Sequence, residues 1–300
     1  MQKYSIFNLI KNAFSGHQNW DLAWKDPTPK KEYDVVIIGG GGHGLATAYY
    51  LAKEHNITNV AIIEKGWIGG GNVGRNTTII RSNYMHDDNA LFSEFGMDLW
   101  RKMSQDLNYN VMFSPRGIIN LAHSDAQMNV YARRGNSMRL NGIDAVLLNR
   151  EQVKEIIPMA DFSENVRFPI FGGLMQPSAG TARHDAVAWG YARQADSMGV
   201  DIIQNCEVTG FDITGGKING VRTSRGDIKV KKIGLCVAGS TNILAEKLNM
   251  TLPVETHLLQ ACVSEPVKPV LDRVVTFGAG HFYISQSDKG EMVMGGDLDG

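Results

Sequence analysis

Three glycines stand at the spacing that proteins use to bring backbone amides close to phosphate groups. Residues 39–44 are Gly-Gly-Gly-Gly-His-Gly, which satisfies the pattern G-x-G-x-x-G. In such a loop Gly39 permits a tight turn, Gly41 lets the backbone approach a pyrophosphate, and Gly44 lets a helix pack closely on a strand. An acidic residue, Glu64, follows at the distance from which a carboxylate accepts hydrogen bonds from ribose hydroxyls. Together these residues predict a dinucleotide-binding site.

The segments around the glycines have the patterns of a strand, a helix and a second strand. Residues 33–40, YDVVIIGG, form an apolar run bounded by glycine, typical of a strand buried on both faces of a parallel sheet. Residues 43–55 follow with apolar side chains at helical spacing, and residues 59–65, NVAIIEK, predict a second buried strand. This βαβ unit would aim the amide donors and partial positive charge of a helix N-terminus at the phosphates.

The segment after Glu64 favours FAD over a nicotinamide cofactor. KGWIGGGNVGRNTTIIRSNY is a glycine-rich loop that runs into an Asn/Thr stretch. A nicotinamide-binding fold usually continues at this point into another strand and helix. A long loop that returns toward the nucleotide suits the larger FAD, whose ring system needs covering.

The remaining elements are predicted more coarsely. The sequence indicates a polar, irregular N-terminal extension over 1–31, a strand over 117–123 and a helix over 124–140. A helix is expected from the N-cap Asn149 and another over 184–199, up to Gly199. Strands joined by tight turns are expected from 200 to 240, and an antiparallel sheet over 252–296.

Composition and charge are those of an ordinary globular chain. The 300 residues include 30 basic and 31 acidic side chains, and a net charge of −1 gives no indication of a nucleic-acid partner. No segment approaches the roughly 18–20 apolar residues of a membrane span. The start lacks the small-residue cleavage site of a signal peptide, so we expect a cytoplasmic protein. Three widely spaced cysteines, Cys206, Cys236 and Cys262, predict reduced thiols rather than disulfides or a metal site.

Two long stretches identify a resemblance to a known family. Residues 35–84 and 172–211, followed by KGEMVMGG at 289–296, are similar to the β subunits of heterotetrameric sarcosine oxidases, within the glycine/D-amino-acid oxidase group. The resemblance covers nearly everything from residue 31 onward. Two long motifs in order are far more specific than a lone G-x-G-x-x-G.

The resemblance implies an α/β fold with two domains. A Rossmann-like FAD-binding domain (GR2-type) is expected over 32–105 and 165–245, with an inserted antiparallel β-sheet that forms the substrate domain over 106–164 and 246–300. The last residues run from strand-like alternation into a turn without a closing helix. We therefore expect the substrate domain to be truncated at its C-terminus.

The resemblance also implies an enzyme that oxidises sarcosine, which is N-methylglycine, to glycine and a one-carbon unit. Electrons would pass from noncovalent FAD to an FMN attached covalently to a histidine, and then to O2, giving H2O2. The FMN would lie where the β subunit meets the α subunit. The expected partners are sarcosine, O2, a larger α subunit with its tetrahydrofolate, and small γ and δ subunits.

Site residues follow from the positions that match the family's motifs. His184 would carry the FMN, and Arg81 would hold the substrate carboxylate with its planar pair of donors. Asn76 stands where dimethylglycine-type dehydrogenases have a flavin-linking histidine, so covalent FAD is not expected there. No metal ligand is expected. The expected FAD contacts are Gly39, Gly41, Gly42, His43, Gly44, Glu64, Lys65, Asn72, Asn76, Thr77, Ile79 and Val208.

Simpler interpretations stay open for several of these residues. A histidine at a helix start, such as His184, is commonly a capping or surface residue, and a loop arginine such as Arg81 is often a solvated charge. His43 has a competing interpretation as a packing residue at a helix end. Three side chains of the segment that should roof the substrate are expected to be structural more often than catalytic: His257, His281 and Tyr283.

Two other functions compete with this interpretation. The chain could be a single-flavin dehydrogenase of another N-methyl or secondary amino acid, passing electrons to a carrier. It could also be a non-catalytic scaffold subunit that keeps the flavoprotein fold for assembly. Two bound flavins favour the oxidase, one dissociable flavin favours the dehydrogenase, and none favours the scaffold.

Overall fold

A computed structural model describes residues 5–18, 20, 22–278 and 282–296. The helices are α1 Ile6–Phe14, α2 Gly42–His55, α3 Asp87–Asp106, α4 Asp125–Leu140, α5 Arg150–Ile156, α6 His184–Ser197 and α7 Thr241–Glu246, with short 3-10 turns at Asn72–Arg75 and Ala238–Ser240. The strands are β1 Glu32–Ile38, β2 Val60–Ile63, β3 Ile79–Ile80, β4 Ile118–Ala122, β5 Val146–Asn149, β6 Gly172–Gln176, β7 Gly180–Thr181, β8 Asp201–Ile203, β9 Val208–Thr214, β10 Lys217–Thr223, β11 Gly226–Leu235, β12 Gln260–Val263, β13 Val274–Phe277, β14 Phe282–Gln286 and β15 Met292–Gly296.

The chain folds as two compact units. The first combines the described residues of Met1–Asn76, Leu107–Asn110 and His184–Thr256, and the second combines those of Thr77–Asp106, Val111–Arg183 and His257–Gly300. The domain ranges expected from the sequence stay a prediction, because compactness alone assigns no ligand to either unit.

The first unit contains a six-stranded sheet in the order β8-β2-β1-β11-β10-β9. The four strands from β8 to β11 are parallel, and β10 and β9 continue the sheet as an antiparallel pair. Every residue of β2 is buried, which explains its uninterrupted apolar sequence. The predicted strand, helix and strand over 33–65 are confirmed as β1, α2 and β2.

Helices α2 and α6 pack on each other in the first unit. The rings of Tyr49 and Tyr191 meet edge to face, with centroids 5.3 Å apart. The face of α6 that includes Val187, Ala188 and Tyr191 is buried. The helix ends before Gly199, which has a φ of +97°, so the predicted helix and its glycine stop are both confirmed.

The second unit contains a seven-stranded sheet in the order β12-β15-β14-β13-β4-β6-β5. Neighbouring strands are antiparallel except β13 and β4, which run parallel. The antiparallel sheet predicted over 252–296 is confirmed in β12 to β15, apart from that one parallel junction. The predicted cap of α5 is also confirmed: Asn149 and Gln152 form a reciprocal capping box.

Three helices were not predicted, among them the short α7 at Thr241–Glu246. The N-terminal extension is not irregular throughout, because Ile6–Phe14 form α1, capped by Ser5. Its apolar residues recur at helical spacing, but the run is short and none of its side chains is buried. No element was predicted for α3 either, a 20-residue helix that buries only Ala90, Met97 and Met103. None of the helices in the described residues is long and apolar enough to cross a membrane.

Candidate functional site

The predicted phosphate loop lies at the carboxyl edge of the first unit's parallel sheet. Gly39 has a φ of +105°, and a Cβ there would overlap the carbonyl group of Cys236, the residue after β11. A Cβ on Gly44 would overlap the carbonyl oxygen of Gly39 and lie 3.3 Å from Ile37 Cγ2. Both positions therefore require glycine, Gly39 for the conformation of the tight turn and Gly44 for the close packing of α2 on β1, as the sequence predicted.

Gly41 differs from these two glycines because it faces open space. A Cβ there would meet no atom within 4 Å. Gly41 is the N-cap of α2, which has no side-chain cap and no acidic residue in its first turn. The amides and the positive end of the helix dipole are thus left for an anionic ligand. The next residues are partly or fully accessible, with Gly42 half-buried and His43 exposed.

Glu64 links the phosphate loop to the loop after β2. One carboxylate oxygen accepts a hydrogen bond from the Gly40 amide and the other from the Gly66 amide, both at 2.8 Å. These bonds use two of about four acceptor positions of a carboxylate. The half-buried side chain keeps the capacity to accept from two hydroxyls. Lys65 beside it is exposed.

The segment after Lys65 folds back against the phosphate loop. Gly74 approaches Gly69 so closely that a Cβ on Gly74 would overlap the Gly69 carbonyl oxygen. Val73 in the same 3-10 turn approaches the position of a Gly42 Cβ at 3.7 Å. The predicted FAD contacts Asn72 and Asn76, at the two ends of this turn, are exposed.

Val208 begins β9 and is buried in the apolar core of the first unit. Just before it, the Cys206 amide donates to the Glu64 carbonyl oxygen at 2.9 Å, and the Asn205 amide donates to that of Gly66 at 2.8 Å. The backbone that leads into Val208 is therefore held beside Glu64. This placement agrees with a role in binding the adenosine half of a dinucleotide.

His184 is the first residue of α6 and is half-buried. The following residue, Asp185, accepts a hydrogen bond from the Ala186 amide at 2.8 Å. Helix α6 lies against the 3-10 turn at Asn72–Arg75 and against α2. His184 thus belongs to the same unit as the phosphate loop, on a helix that contacts the turn predicted to bind flavin.

In the second unit, Arg81 is held with one edge of its guanidinium open. Its Nη1 donates to Asn83 Oδ1 at 2.6 Å, and the guanidinium carbon lies 4.5 Å from the centre of the Tyr84 ring. Among the described residues no group accepts from its Nε or Nη2. These two atoms form the parallel pair of donors that a carboxylate accepts.

The neighbours of Arg81 are fixed by buried polar contacts. Ser82, Asn83 and Gln176 are fully buried. The Ser82 amide donates to Gln176 Oε1 at 3.0 Å, and Gln176 Nε2 donates back to Ser82 Oγ at 2.7 Å. Sequence reasoning missed these residues, because polar partners 94 positions apart have no periodic signal.

Thr77 and Ile79 lie in the second unit, in the stretch that leads to Arg81. Thr77 Oγ1 donates to the Tyr283 hydroxyl at 3.1 Å. Ile79 pairs with Thr181 in the two-stranded β3-β7 ribbon and packs against the small apolar cluster that includes Ile118. Their contact with a flavin stays a prediction.

The residues expected to roof the substrate are only partly described. His257 is exposed and Tyr283 is half-buried, while His281 lies outside the described residues. Cys206, Cys236 and Cys262 are all described and none is in a disulfide. Within the described residues, no group of three or more His, Cys, Asp or Glu side chains could hold a metal ion.

The observations at the phosphate loop fit an FAD. Gly41 leaves space where a pyrophosphate approaches backbone, the α2 amides face that space without a cap, and Glu64 retains acceptor capacity. The first unit also brings Asn72, Val208 and His184 together with this loop. Thr77, Ile79 and Arg81 belong to the second unit.

Comparisons with known proteins agree with this assignment. The model of the family described as FAD dependent oxidoreductase matches residues 34–300. Sarcosine oxidase subunit beta of Rhizobium meliloti (strain 1021) is 60% identical over 298 residues, which cover 99% of this chain and 71% of that protein. Sarcosine oxidase subunit beta of Rhodobacter capsulatus is 52% identical, over 100% of this chain and 72% of that protein.

A solved structure supports the same fold. The crystal structure of L-proline dehydrogenase from P. horikoshii superposes with a TM-score of 0.83 at 27% identity, over 90% of this chain and 71% of that chain. Taken together, the phosphate loop, the match over residues 34–300 and the two β-subunit relatives show that this chain belongs to the FAD dependent oxidoreductase family, within the group of sarcosine oxidase β subunits.

Proposed function

We propose that this chain is the FAD-binding subunit of a hetero-oligomeric enzyme that oxidises sarcosine to glycine and a one-carbon unit. The observation that carries the proposal is the open Nε/Nη2 edge of Arg81, held in place by Asn83 and the Tyr84 ring. Sarcosine is a small amino acid with a carboxylate, and an arginine of this geometry binds a carboxylate in a defined orientation.

The proposed cofactor-binding and substrate-binding residues have separate tasks. The phosphate loop and Glu64 bind the dinucleotide, while Arg81 orients the substrate. When bound, the flavins would supply the redox chemistry, carrying to O2 the two electrons and two protons that the substrate gives up when its C–N bond becomes C=N, with H2O2 as the reduced product and water releasing glycine and the one-carbon unit from the imine. The protein need supply no strong acid or base beyond a route to the uncharged amine. Its residues orient the substrate and exclude side reactions.

The second flavin is proposed to be FMN bonded covalently to His184. The support is the resemblance of the surrounding motif, the position of His184 at the N-terminus of α6, and the packing of α6 on the turn at Asn72–Arg75. A neutral imidazole nitrogen could form this bond once the flavin methyl group loses a proton; the two electrons released would stay on the flavin ring, and O2 would reoxidise it. The amides at the start of α6 could receive a phosphate or stabilise a reduced, anionic flavin.

The other subunits are proposed from the names of the relatives. Both relatives described above are called subunit beta, which indicates an assembly with other chains. We propose a larger α subunit that covers the FMN and carries tetrahydrofolate for the one-carbon unit, with smaller γ and δ subunits.

Substrate recognition is tested by changing Arg81 to lysine. Arg81→Lys keeps the charge but loses the parallel pair of donors, so the KM for sarcosine should rise about tenfold or more with a smaller change in kcat. Arg133→Lys, on the exposed side of α4, is the matched control and should leave both constants unchanged. N-methylglycinamide, which lacks the carboxylate, should bind the Arg81→Lys variant and the parent equally. An unchanged KM for sarcosine in that variant would remove Arg81 from the site.

The covalent flavin is tested by mass spectrometry of the native complex. We expect a tryptic peptide containing His184 with a mass increase that matches FMN. His184→Ala should abolish this peptide and most peroxide formation, while FAD stays bound and is still reduced by sarcosine. His55→Ala, at the exposed C-terminus of α2, is the control and should change nothing. An unmodified His184 peptide from active enzyme would contradict the covalent FMN and make the single-flavin dehydrogenase the better hypothesis.

A further inference from the structure

A second arginine of the second unit reaches the backbone beside Arg81. Arg134 extends from α4, and its Nε donates to the main-chain carbonyl oxygen of Asn83 at 2.6 Å. Its Nη2 donates to the same oxygen. Asn83 is fully buried, so without Arg134 this carbonyl would lose a charged hydrogen-bond donor.

The side chain of Asn83 is also held in place by hydrogen bonds, and it in turn positions the guanidinium of Arg81. Its Nδ2 donates to Asn120 Oδ1 at 2.7 Å, and Asn120 Nδ2 donates in turn to Thr276 Oγ1 at 2.5 Å. Thr276 and Asn120 face each other across the parallel pair of β13 and β4. The sheet therefore fixes the Asn120 side chain, which accepts the hydrogen bond from Asn83. Because Asn83 uses its Nδ2 to donate to Asn120, its Oδ1 is left to accept the hydrogen bond from Arg81 Nη1.

The two guanidinium groups also influence each other electrostatically. Burial, together with the positive charge of Arg81, lowers the pKa of Arg134 from its ordinary value. Neither arginine forms an ion pair with a carboxylate in the part of the chain that the structure describes. Two neighbouring cations without a counter-ion favour the binding of an external anion.

We infer that Arg134 is a positioning residue for the substrate carboxylate: it fixes Asn83, and Asn83 presents the open edge of Arg81 to the carboxylate. The inference rests on the proposed role of Arg81. Arg134 donates to the protein backbone, so its contribution to binding passes through Arg81 rather than through a contact of its own. The backbone of residues 82 and 83 is held at the same time by Gln176 and by Arg134.

The test compares two ligands that differ only in the carboxylate. Sarcosine and N-methylglycinamide are titrated into the purified holoenzyme of the parent and of Arg134→Gln. Arg134→Gln should weaken sarcosine binding about tenfold, because a buried acceptor loses its charged donor and Arg81 loses its fixed position. The affinity for N-methylglycinamide and the kcat for sarcosine should stay within about twofold.

Three further variants make the outcome specific. Arg133→Gln removes the same charge from the exposed neighbouring position of α4 and should leave the ratio of the two affinities unchanged. Arg134→Lys keeps the charge with a single donor group, so it should recover part of the lost sarcosine affinity. The double variant Arg81→Gln/Arg134→Gln should bind sarcosine no more weakly than Arg81→Gln alone, because Arg134 acts through Arg81.

The possible results distinguish a failure of this inference from a failure of the proposed function. If Arg81→Gln lowers the preference for sarcosine over N-methylglycinamide but Arg134→Gln does not, the positioning role of Arg134 is wrong while the role of Arg81 stands. If neither variant changes the preference, the proposed carboxylate site is wrong as well. Equal losses of affinity for both ligands in Arg134→Gln would indicate a purely structural residue and overturn the inference. Should Arg134→Gln fail to fold, Arg134→Lys is judged by the same ratio, and an unchanged ratio overturns the inference.

Discussion

Two glycines of the phosphate loop should respond to substitution in opposite ways. A Cβ on Gly44 overlaps the Gly39 carbonyl oxygen and lies 3.2 Å from its carbon and 3.3 Å from Ile37 Cγ2. The first two are backbone atoms that cannot rotate away, so α2 must move off β1. Overpacking of this kind costs about 1–3 kcal/mol, and we expect Gly44→Ala to reach about 3 kcal/mol. The melting temperature of the chain should then fall by about 6–12 °C.

Gly41→Val should leave the protein folded but with much weaker binding of FAD. Its Cβ would meet no atom within 4 Å, and φ of −80° with ψ of −178° suits a β-branched residue. The free energy of unfolding of the flavin-free chain should change by less than about 1 kcal/mol. The side chain occupies the space of the pyrophosphate, and loss of two charge-assisted hydrogen bonds at about 1.5 kcal/mol each lowers FAD affinity roughly 100-fold.

The assay measures FAD released by acid after gel filtration, together with thermal unfolding followed by circular dichroism. Gly96→Ala is the control: it also adds a Cβ in open space, but in α3 of the second unit. It should keep FAD and gain up to about 1 kcal/mol of stability. Normal FAD content in Gly41→Val would refute the assignment of this loop, whatever the stability of Gly44→Ala.

Three other predictions concern the fold and its cofactor. Gly74→Ala should lower the affinity for FAD, measured by flavin fluorescence, because its Cβ overlaps the Gly69 carbonyl and displaces the turn at Asn72–Arg75. Unchanged affinity would show that this turn does not contribute to the FAD site. Asn149→Ala should lower the free energy of unfolding by about 0.5–2 kcal/mol in denaturant titration, because it removes the capping box of α5, and an effect below 0.3 kcal/mol would contradict that role. Saturating FAD at about 100 times its Kd should raise the stability of the flavin-free chain by about 2.7 kcal/mol, and a melting temperature independent of FAD would contradict specific binding.

The sequence predicted most of what positions the phosphate loop. Continuous apolar runs, helical spacing and glycine stops lie within about thirty residues of one another, so β1, α2 and β2 follow from local patterns. The G-x-G-x-x-G motif also located Gly39 and Gly44, and the positive φ of Gly39 and the close packing at Gly44 confirm the reasons given for them. Local patterns predicted α6 and its end at Gly199 in the same way.

The surroundings of Arg81 could not be predicted in this way. Its neighbour Asn83 meets Arg134, 51 residues away, and Asn120, 37 residues away. Such polar contacts depend on how distant strands and helices come together, and single polar residues on α4 or β4 look like solvated side chains in the sequence. The parallel pairing of β13 with β4 was missed for the same reason, since alternation predicts a strand but not its partner. For α3, few buried residues leave a weak apolar pattern.

The central claim is that this chain's FAD accepts electrons from sarcosine bound through its carboxylate. The most direct test adds sarcosine to the purified holoenzyme without oxygen and follows the visible absorbance of the oxidised flavin, with N-methylglycinamide in a parallel sample. We predict that sarcosine bleaches the flavin and yields glycine in proportion to the total flavin reduced, and that N-methylglycinamide at the same concentration bleaches it far more slowly. A flavin that stays oxidised in sarcosine, but is bleached by dithionite, would contradict the account.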